Sequence, residues 1–291
     1  MKRQDLRIRD PFIIPWEGKY YMCGSGGDTS LPMYQSDDLE NWEELGEIFR
    51  IEEDSWAKVD TWAAEIHRYL GKFYLFVSLL GKNGVRGTQV AVCDTVFGKY
   101  VPVVNAPITP PYQQAIDATL FVQDGTPYIL YSRDWPGNYI PEKDYYVGEI
   151  WAAEAKKDLS GLAGEPFKLF SSNEVPLSAA APNRINEKIL RFGSDAPFVQ
   201  KLKNGSLYLT WSPMLNWNYV VLGAVSESGN VKGPWRHLDE PLFNENGGHA
   251  MFFTDFDGNR KMSIHQPESP EKERATFIDV EEHGSLLQLK K

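Results

Sequence analysis

One pattern recurs five times along the 291 residues, and it restricts the fold more than any single motif does. The segments run RDPFIIPWEGKYYMCGSG from Arg9, AAEIHRYLGKFYLFVSL from Ala63 and IDATLFVQDGTPYILYSR from Ile116. SDAPFVQKLKNGSLYLTWSP from Ser194 and GHAMFFTDFDGNRKMSIHQ from Gly248 complete the series. Each opens on a small polar or acidic cluster, continues into a short apolar run, turns at a glycine and returns as an aromatic-rich alternating strand. The turns are Glu17-Gly18, Leu70-Gly71, Asp124-Gly125, Asn204-Gly205 and Asp257-Gly258. That is hairpin chemistry. Further β segments follow each hairpin, among them QVAVCD, YVVLGAVSE, WEELGEIF, PFKLF and WRHLD.

Four strands per unit in five units predict an all-β chain closed radially, a five-bladed β-propeller spanning 1–291 as one domain. Radial closure disposes of exposed sheet edges. A β-sandwich has no reason to repeat every 53 or so residues. ATFIDV at Ala275–Val280 is the expected closing strand, and an insertion is expected near residues 155–192.

Hydrophobic residues at 42% allow a sizeable core. A formal net charge of -10 argues against a nucleic-acid partner, because a phosphate backbone is repelled. Cys23 and Cys93 fit neither a zinc spacing nor a disulfide framework and are read as buried free thiols. No apolar run reaches the 18 or so residues of a membrane span. MKRQDLRIRDPF carries no secretory segment, which leaves a cytoplasmic chain or a mature secreted one.

The repeat matters for function because first strands line a propeller's channel, so equivalent residues converge. The openings place Asp10, Glu65, Asp117, Asp195 and His249 in register, with successive spacings of 55, 52, 78 and 54. Carboxylates crowded into one cavity repel, so some of their pKa values must rise. A protonated acid beside an ionised base is what glycosidic hydrolysis uses. Aromatic faces suit sugar rings, and Trp62, Trp135, Tyr139 and Trp217 are the substrate-binding candidates with Glu65 and His249. Trp135 and Tyr139 share the loop DWPGNYIPEKD, and Trp217 lies in LNWNY. His249 is also a candidate to hold a metal through water. No compact transition-metal motif is present.

At these residues the chain resembles glycoside hydrolase family 43 over nearly its whole length. The resemblance rests on Asp10-Pro11, Trp62-Ala63-Ala64-Glu65, Ile116-Asp117-Ala118 and Gly248-His249. It implies a five-bladed propeller inverting α-L-arabinofuranosides or β-D-xylosides, with Asp10 as general base and Asp117 tuning the acid. It implies no required cofactor, though a structural Ca2+ is associated with the phrase at His249. The family's acid is a glutamate in Glu-Gly-Pro, and here Asp195-Ala196-Pro197 stands in its place, one methylene shorter. Glu187 is a second candidate for the acid.

The expected activity is therefore an inverting, exo-acting glycoside hydrolase, with an oligosaccharide or glycoside as partner. A glycoside phosphorylase on the same scaffold and a non-catalytic carbohydrate-binding propeller are the alternatives.

Overall fold

The computed structural model describes residues 1–182, 188, 190–215 and 217–290. β1 (Phe12–Trp16), β2 (Lys19–Cys23), β3 (Ser30–Ser36) and β4 (Glu43–Arg50) form an antiparallel meander in that order. β5 (Ala57–Tyr69), β6 (Lys72–Gly81), β7 (Arg86–Cys93) and β8 (Val101–Pro102) form a second.

The third unit departs from the pattern. β9 (Ala115–Gln123) and β10 (Thr126–Arg133) are followed by an excursion, β11 (Tyr139–Ile140) and β12 (Tyr145–Val147), before β13 (Glu149–Glu154) and β14 (Phe167–Ser171) complete the sheet. β15 (Ala181–Pro182) and β16 (Leu190–Phe192) then return to the excursion, with β12 and β16 parallel. The insertion is thus two pieces on either side of β13 and β14, not one stretch over 155–192. Phe167–Ser171 within that stretch belongs to the repeat.

β17 (Asp195–Lys201) and β18 (Leu207–Ser212) open the fourth unit. A small hairpin of β19 (Met214–Leu215) and β20 (Asn218–Tyr219) precedes β21 (Leu222–Ser226) and β22 (Arg236–His237). The last unit is β23 (Gly248–Thr254), β24 (Arg260–Gln266), β25 (Arg274–His283) and β26 (Leu286–Leu289). Ala275–Val280 is therefore the third strand of its own sheet, between β24 and β26, rather than a strand lent across a seam.

Three of the hairpins show why the glycines recur. Glu17 and Gly18, Leu70 and Gly71, and Asp124 and Gly125 all have positive φ, and beside each turn the two strands pair residue for residue. Both central residues of a type I′ turn need that left-handed conformation, whose twist matches the strands it joins.

The five first strands lie against one another in the order β1, β5, β9, β17, β23 and back to β1. This closed ring is a β-propeller. Apolar side chains fill the spaces between sheets. Leu130, Phe170 and Trp211 pack between the third and fourth units, and Phe76, Ile129 and Tyr131 between the second and third. Residues ahead of β1 bind the last sheet, where Arg3 Nη1 donates to the Ala275 carbonyl at 2.8 Å and Ile8 N to the Glu273 carbonyl at 3.3 Å. Cys23 and Cys93 are free, the first buried and the second half-buried. Among the described residues no helix is long and apolar enough to cross a membrane.

Candidate active site

The site is built on one backbone irregularity repeated around the ring. Asp10, Ala63, Asp117, Ala196 and His249 all have positive φ, between 47° and 59°. Each stands at or just ahead of a first strand, or within it where the ladder slips. The slips fall between the pairs Trp62–Ser78 and Glu65–Phe76, Ile116–Ser132 and Thr119–Leu130, Asp195–Ser212 and Phe198–Thr210, and Gly248–His265 and Met251–Ser263. An extra residue in a left-handed conformation is a bulge, and bulges re-aim side chains beside active sites. Here they turn the start of each first strand toward the common axis.

This geometry corrects the sequence register. The backbone counterparts of Asp10 are Ala63 and Ala196, not Glu65 and Asp195. Charge does not mark these positions, because a left-handed bulge selects for tolerance of positive φ, met here by Asp, Ala and His. Asp195 stands one residue before the bulge, and Glu65 two residues after it.

A cavity of about 850 Å³ opens over this ring. Asp10, Asp117, Asp195, His249, Trp62 and Trp135 all line it, as do Arg9, Asp134, Tyr219 and Glu268. Glu65, Tyr139 and Trp217 do not. Glu65 is buried and paired with His67 Nε2 at 2.7 Å. Tyr139 is exposed and donates its hydroxyl to Asp144 Oδ1 at 2.7 Å, and Trp217 is exposed on its own turn. Glu187 lies outside the described residues.

The carboxylates that meet there occupy different electrical environments. Asp10 accepts the Ser25 hydroxyl on Oδ2 at 2.5 Å, and His249 Nδ1 and His265 Nδ1 each lie 3.1 Å from its Oδ1. Burial on its own would raise its pKa, but His249, Arg9 and His265 outweigh burial and hold it well below the ordinary carboxylate range. Asp117 is driven the other way, by burial and then by the charges of Asp195 and Asp10, although its Oδ2 accepts the Ala196 N–H at 3.1 Å. Asp195 is raised to about 6, with burial the largest cause and Arg191 and Arg9 opposing it. Asp134 is raised to about 7 by burial and by Asp195. The cavity therefore holds an ionised Asp10 facing three carboxyls, Asp117, Asp195 and Asp134, whose pKa values are all raised above that of an ordinary aspartate.

The aromatic walls are braced by cations. The Arg86 guanidinium lies 3.7 Å from the Trp62 ring centroid, and that of Arg191 lies 4.8 Å from Trp135. His249 is held near neutral by burial, its pKa lowered, with Nδ1 turned to Asp10. Among the described residues no three His, Cys, Asp or Glu side chains are grouped to share a metal ion. A calcium ion takes about six to eight oxygen ligands, so one at His249 would be held almost wholly by water.

Asp134, Tyr219, His265 and Glu268 escaped the sequence reading. Asp134 sits in the DWPGNY loop, directly before the aromatic candidate Trp135. It receives the Trp135 N–H at 2.9 Å as the cap of the short turn Trp135–Gly137. His265 and Glu268 come from the second strand of a hairpin and the loop after it, where no motif marks them.

The family model for glycosyl hydrolases family 43 matches residues 5–282. An endo-arabinase structure from Bacteroides thetaiotaomicron VPI-5482 superposes with a TM-score of 0.87 at 33% identity, covering 97% of each chain. A thermostable family-43 glycoside hydrolase superposes at 0.82 with 25% identity, covering 98% of this chain and 93% of that one. A xylosidase/arabinosidase of Bacteroides ovatus is 25% identical over 238 residues, 70% of either chain.

Proposed function

The chain belongs to glycosyl hydrolases family 43, and on that premise we propose that it is an inverting hydrolase of α-L-arabinofuranosides or β-D-xylosides in polysaccharide fragments, built as a single five-bladed domain over 1–291. The observation that carries the proposal is the opposition of pKa directions inside one cavity. Asp10 stays ionised while Asp195 is raised to about 6.

In this mechanism Asp10 takes a proton from water as the water attacks the anomeric carbon. Asp195 gives its proton to the departing glycosidic oxygen. The products are the free sugar with inverted configuration and the shortened leaving alcohol, and the two carboxyls exchange protonation states. Asp117 stays protonated or shares a proton with Asp195, so the acid remains loaded above the pH at which an ordinary aspartate would be empty. Trp62 and Trp135 offer faces for the sugar units, and His249 supports Asp10. No cofactor takes part in these steps, and calcium near His249 would be structural. The shorter acid asks the leaving oxygen to sit deeper than a glutamate would require.

Proton NMR of the first product anomer, with wild type and Asp10→Asn on 4-nitrophenyl α-L-arabinofuranoside and β-D-xyloside, tests the proposal. The expected result is an inverted anomer and loss of turnover in the variant by at least about 10²-fold, with substrate binding kept. A variant with wild-type turnover overturns the role of Asp10, and binding without turnover by wild type favours a non-catalytic carbohydrate-binding propeller.

Exo action is the mode expected from sequence, but the cavity favours a second reading. At about 850 Å³ it lies high in the usual range of about 300–1,000 Å³ for ligand pockets, with room for more than one pentose. The likeness to an endo-arabinase points the same way. Chain-length analysis of products from linear arabinan separates single sugars from internal cleavage. The phosphorylase alternative draws less support, because Arg9 beside the base is already paired with Glu268 at 2.7 Å.

A further inference from the structure

The five bulges share a support, and one of the five differs. The residue before each bulge pairs with a residue on the neighbouring strand, giving Ser78 opposite Trp62, Ser132 opposite Ile116, Ser212 opposite Asp195 and His265 opposite Gly248. In the first unit the same place belongs to Ser25, whose N–H meets the Arg9 carbonyl. Four of these positions are serine. Three of those hydroxyls accept the N–H of the next unit's bulge residue, Ser25 from Ala63 at 2.9 Å, Ser78 from Asp117 at 2.8 Å and Ser212 from His249 at 2.9 Å. Ser132 turns to Ser194 Oγ instead, and the Ala196 N–H goes to Asp117.

Asp10 alone in the ring has its N–H received by an imidazole, His265 Nδ1, at 3.3 Å. His265 is fully buried, and its Nε2 lies 2.7 Å from Glu268 Oε2, which also takes Arg9 Nη1 at 2.7 Å. The ring stacks on Tyr219 with centroids 5.4 Å apart and planes 20° from parallel, and the Tyr219 hydroxyl donates to Asp195 Oδ2 at 3.5 Å. His265 Nδ1 also lies 3.1 Å from Asp10 Oδ1, and His249 Nδ1 reaches that oxygen at the same distance from β23. A serine satisfies the backbone at the equivalent place elsewhere, so backbone pairing alone does not account for an imidazole backed by a buried carboxylate and a guanidinium.

We propose that His265, oriented by Glu268, is a positioning residue for Asp10: it fixes the direction of the base carboxylate and, through Tyr219, holds that carboxylate in register with Asp195. The proposal rests on Asp10 being the base. His265 touches neither water nor sugar in this role. It supplies a rigid seat where a rotating hydroxyl would leave the carboxylate looser, and misplacement by about 1 Å costs proton transfer on the order of 10²-fold.

His265→Ser installs the support the other units use and is therefore the decisive variant. The expected result is a kcat lower by about 10- to 100-fold with KM and melting temperature unchanged, on whichever 4-nitrophenyl glycoside wild type turns over. Glu268→Gln, which keeps the histidine and its backbone bond, is expected to lower kcat in the same direction by less. Wild-type kcat in His265→Ser overturns the proposal, and so does a loss shared between kcat, KM and melting temperature, which marks a purely structural residue. Should His265→Ser fail to fold, Glu268→Gln decides alone, with a lowered kcat at constant KM supporting the role and wild-type kcat overturning it. Asp10→Asn measured alongside separates the two claims. Turnover surviving in Asp10→Asn removes the base assignment itself, whereas its loss beside an unaffected His265→Ser removes only the positioning role.

Discussion

Replacing Asp195 by asparagine should make the protein more stable and less active, and the gain in stability should depend on pH. Asp195 has a folded pKa of about 6 against an ordinary 3.8. Between those values the folded chain holds this proton more tightly than the unfolded one, so stability falls as pH rises through the window and stays low above it. A rise from 3.8 to about 6 corresponds to about 3 kcal/mol of stability lost by pH 8. Coupling to Asp117 shares that cost between two carboxyls, so relief on the order of 1–3 kcal/mol is the reasonable span. Asparagine has nearly the same shape and no charge to bury. For a chain of this size each kcal/mol shifts the melting temperature by roughly 2–4 °C. Scanning calorimetry of wild type and Asp195→Asn at pH 4 and pH 8 should show a variant higher by several degrees at pH 8 and by little or nothing at pH 4. Turnover should fall by about 10²- to 10⁴-fold on substrates with poor leaving groups and by less on dinitrophenyl glycosides, which leave without protonation. A melting difference independent of pH, or a variant destabilised at pH 8, would refute the account of Asp195 as a carboxyl kept protonated by its surroundings.

Three other expectations follow from the same cavity. The pH profile of kcat/KM should fall on its alkaline side near pH 6, where Asp195 empties, while the acid limb belonging to Asp10 should lie below the ordinary carboxylate range; a profile flat to pH 9 contradicts this. Ser25→Ala removes a bond to Asp10 and another to the Ala63 N–H, and chemical denaturation should show a loss of about 1–3 kcal/mol together with a reduced kcat. Trp62→Ala strips the face that Arg86 braces, so steady-state kinetics should show KM raised more than kcat is lowered.

The repeat was legible because its cause is local. Glu17-Gly18 and Asp124-Gly125 declare their turns in two residues, and alternation declares the strands on either side. The convergence of Asp10 and Asp117 followed from the repeat. Glu65 was misplaced because a charge can sit near a bulge without occupying it, and only the dihedral angle at Ala63 shows where the bulge lies. Asp134 and Glu268 were hidden for another reason. Their proximity to Asp195 and Arg9 is made by loops that lie far apart in sequence. The excursion sheet was equally unreadable, since β12 and β16 pair across more than forty intervening residues with strands of three.

The left-handed ring carries a consequence for how such an enzyme can change. A bulky or β-branched residue fits poorly at positive φ, at a cost on the order of 1–2 kcal/mol. Positions 10, 63, 117, 196 and 249 therefore draw on a short alphabet, and the proposed mechanism already calls on two of them, Asp10 and Asp117. A library randomised at those five positions would lose stability at most of its substitutions. Variation at Trp62, Asp134 and Trp135 meets no such dihedral barrier, because none of the three has positive φ. Selection for a new sugar would find its winners there, on the rim, with the ring inherited unchanged.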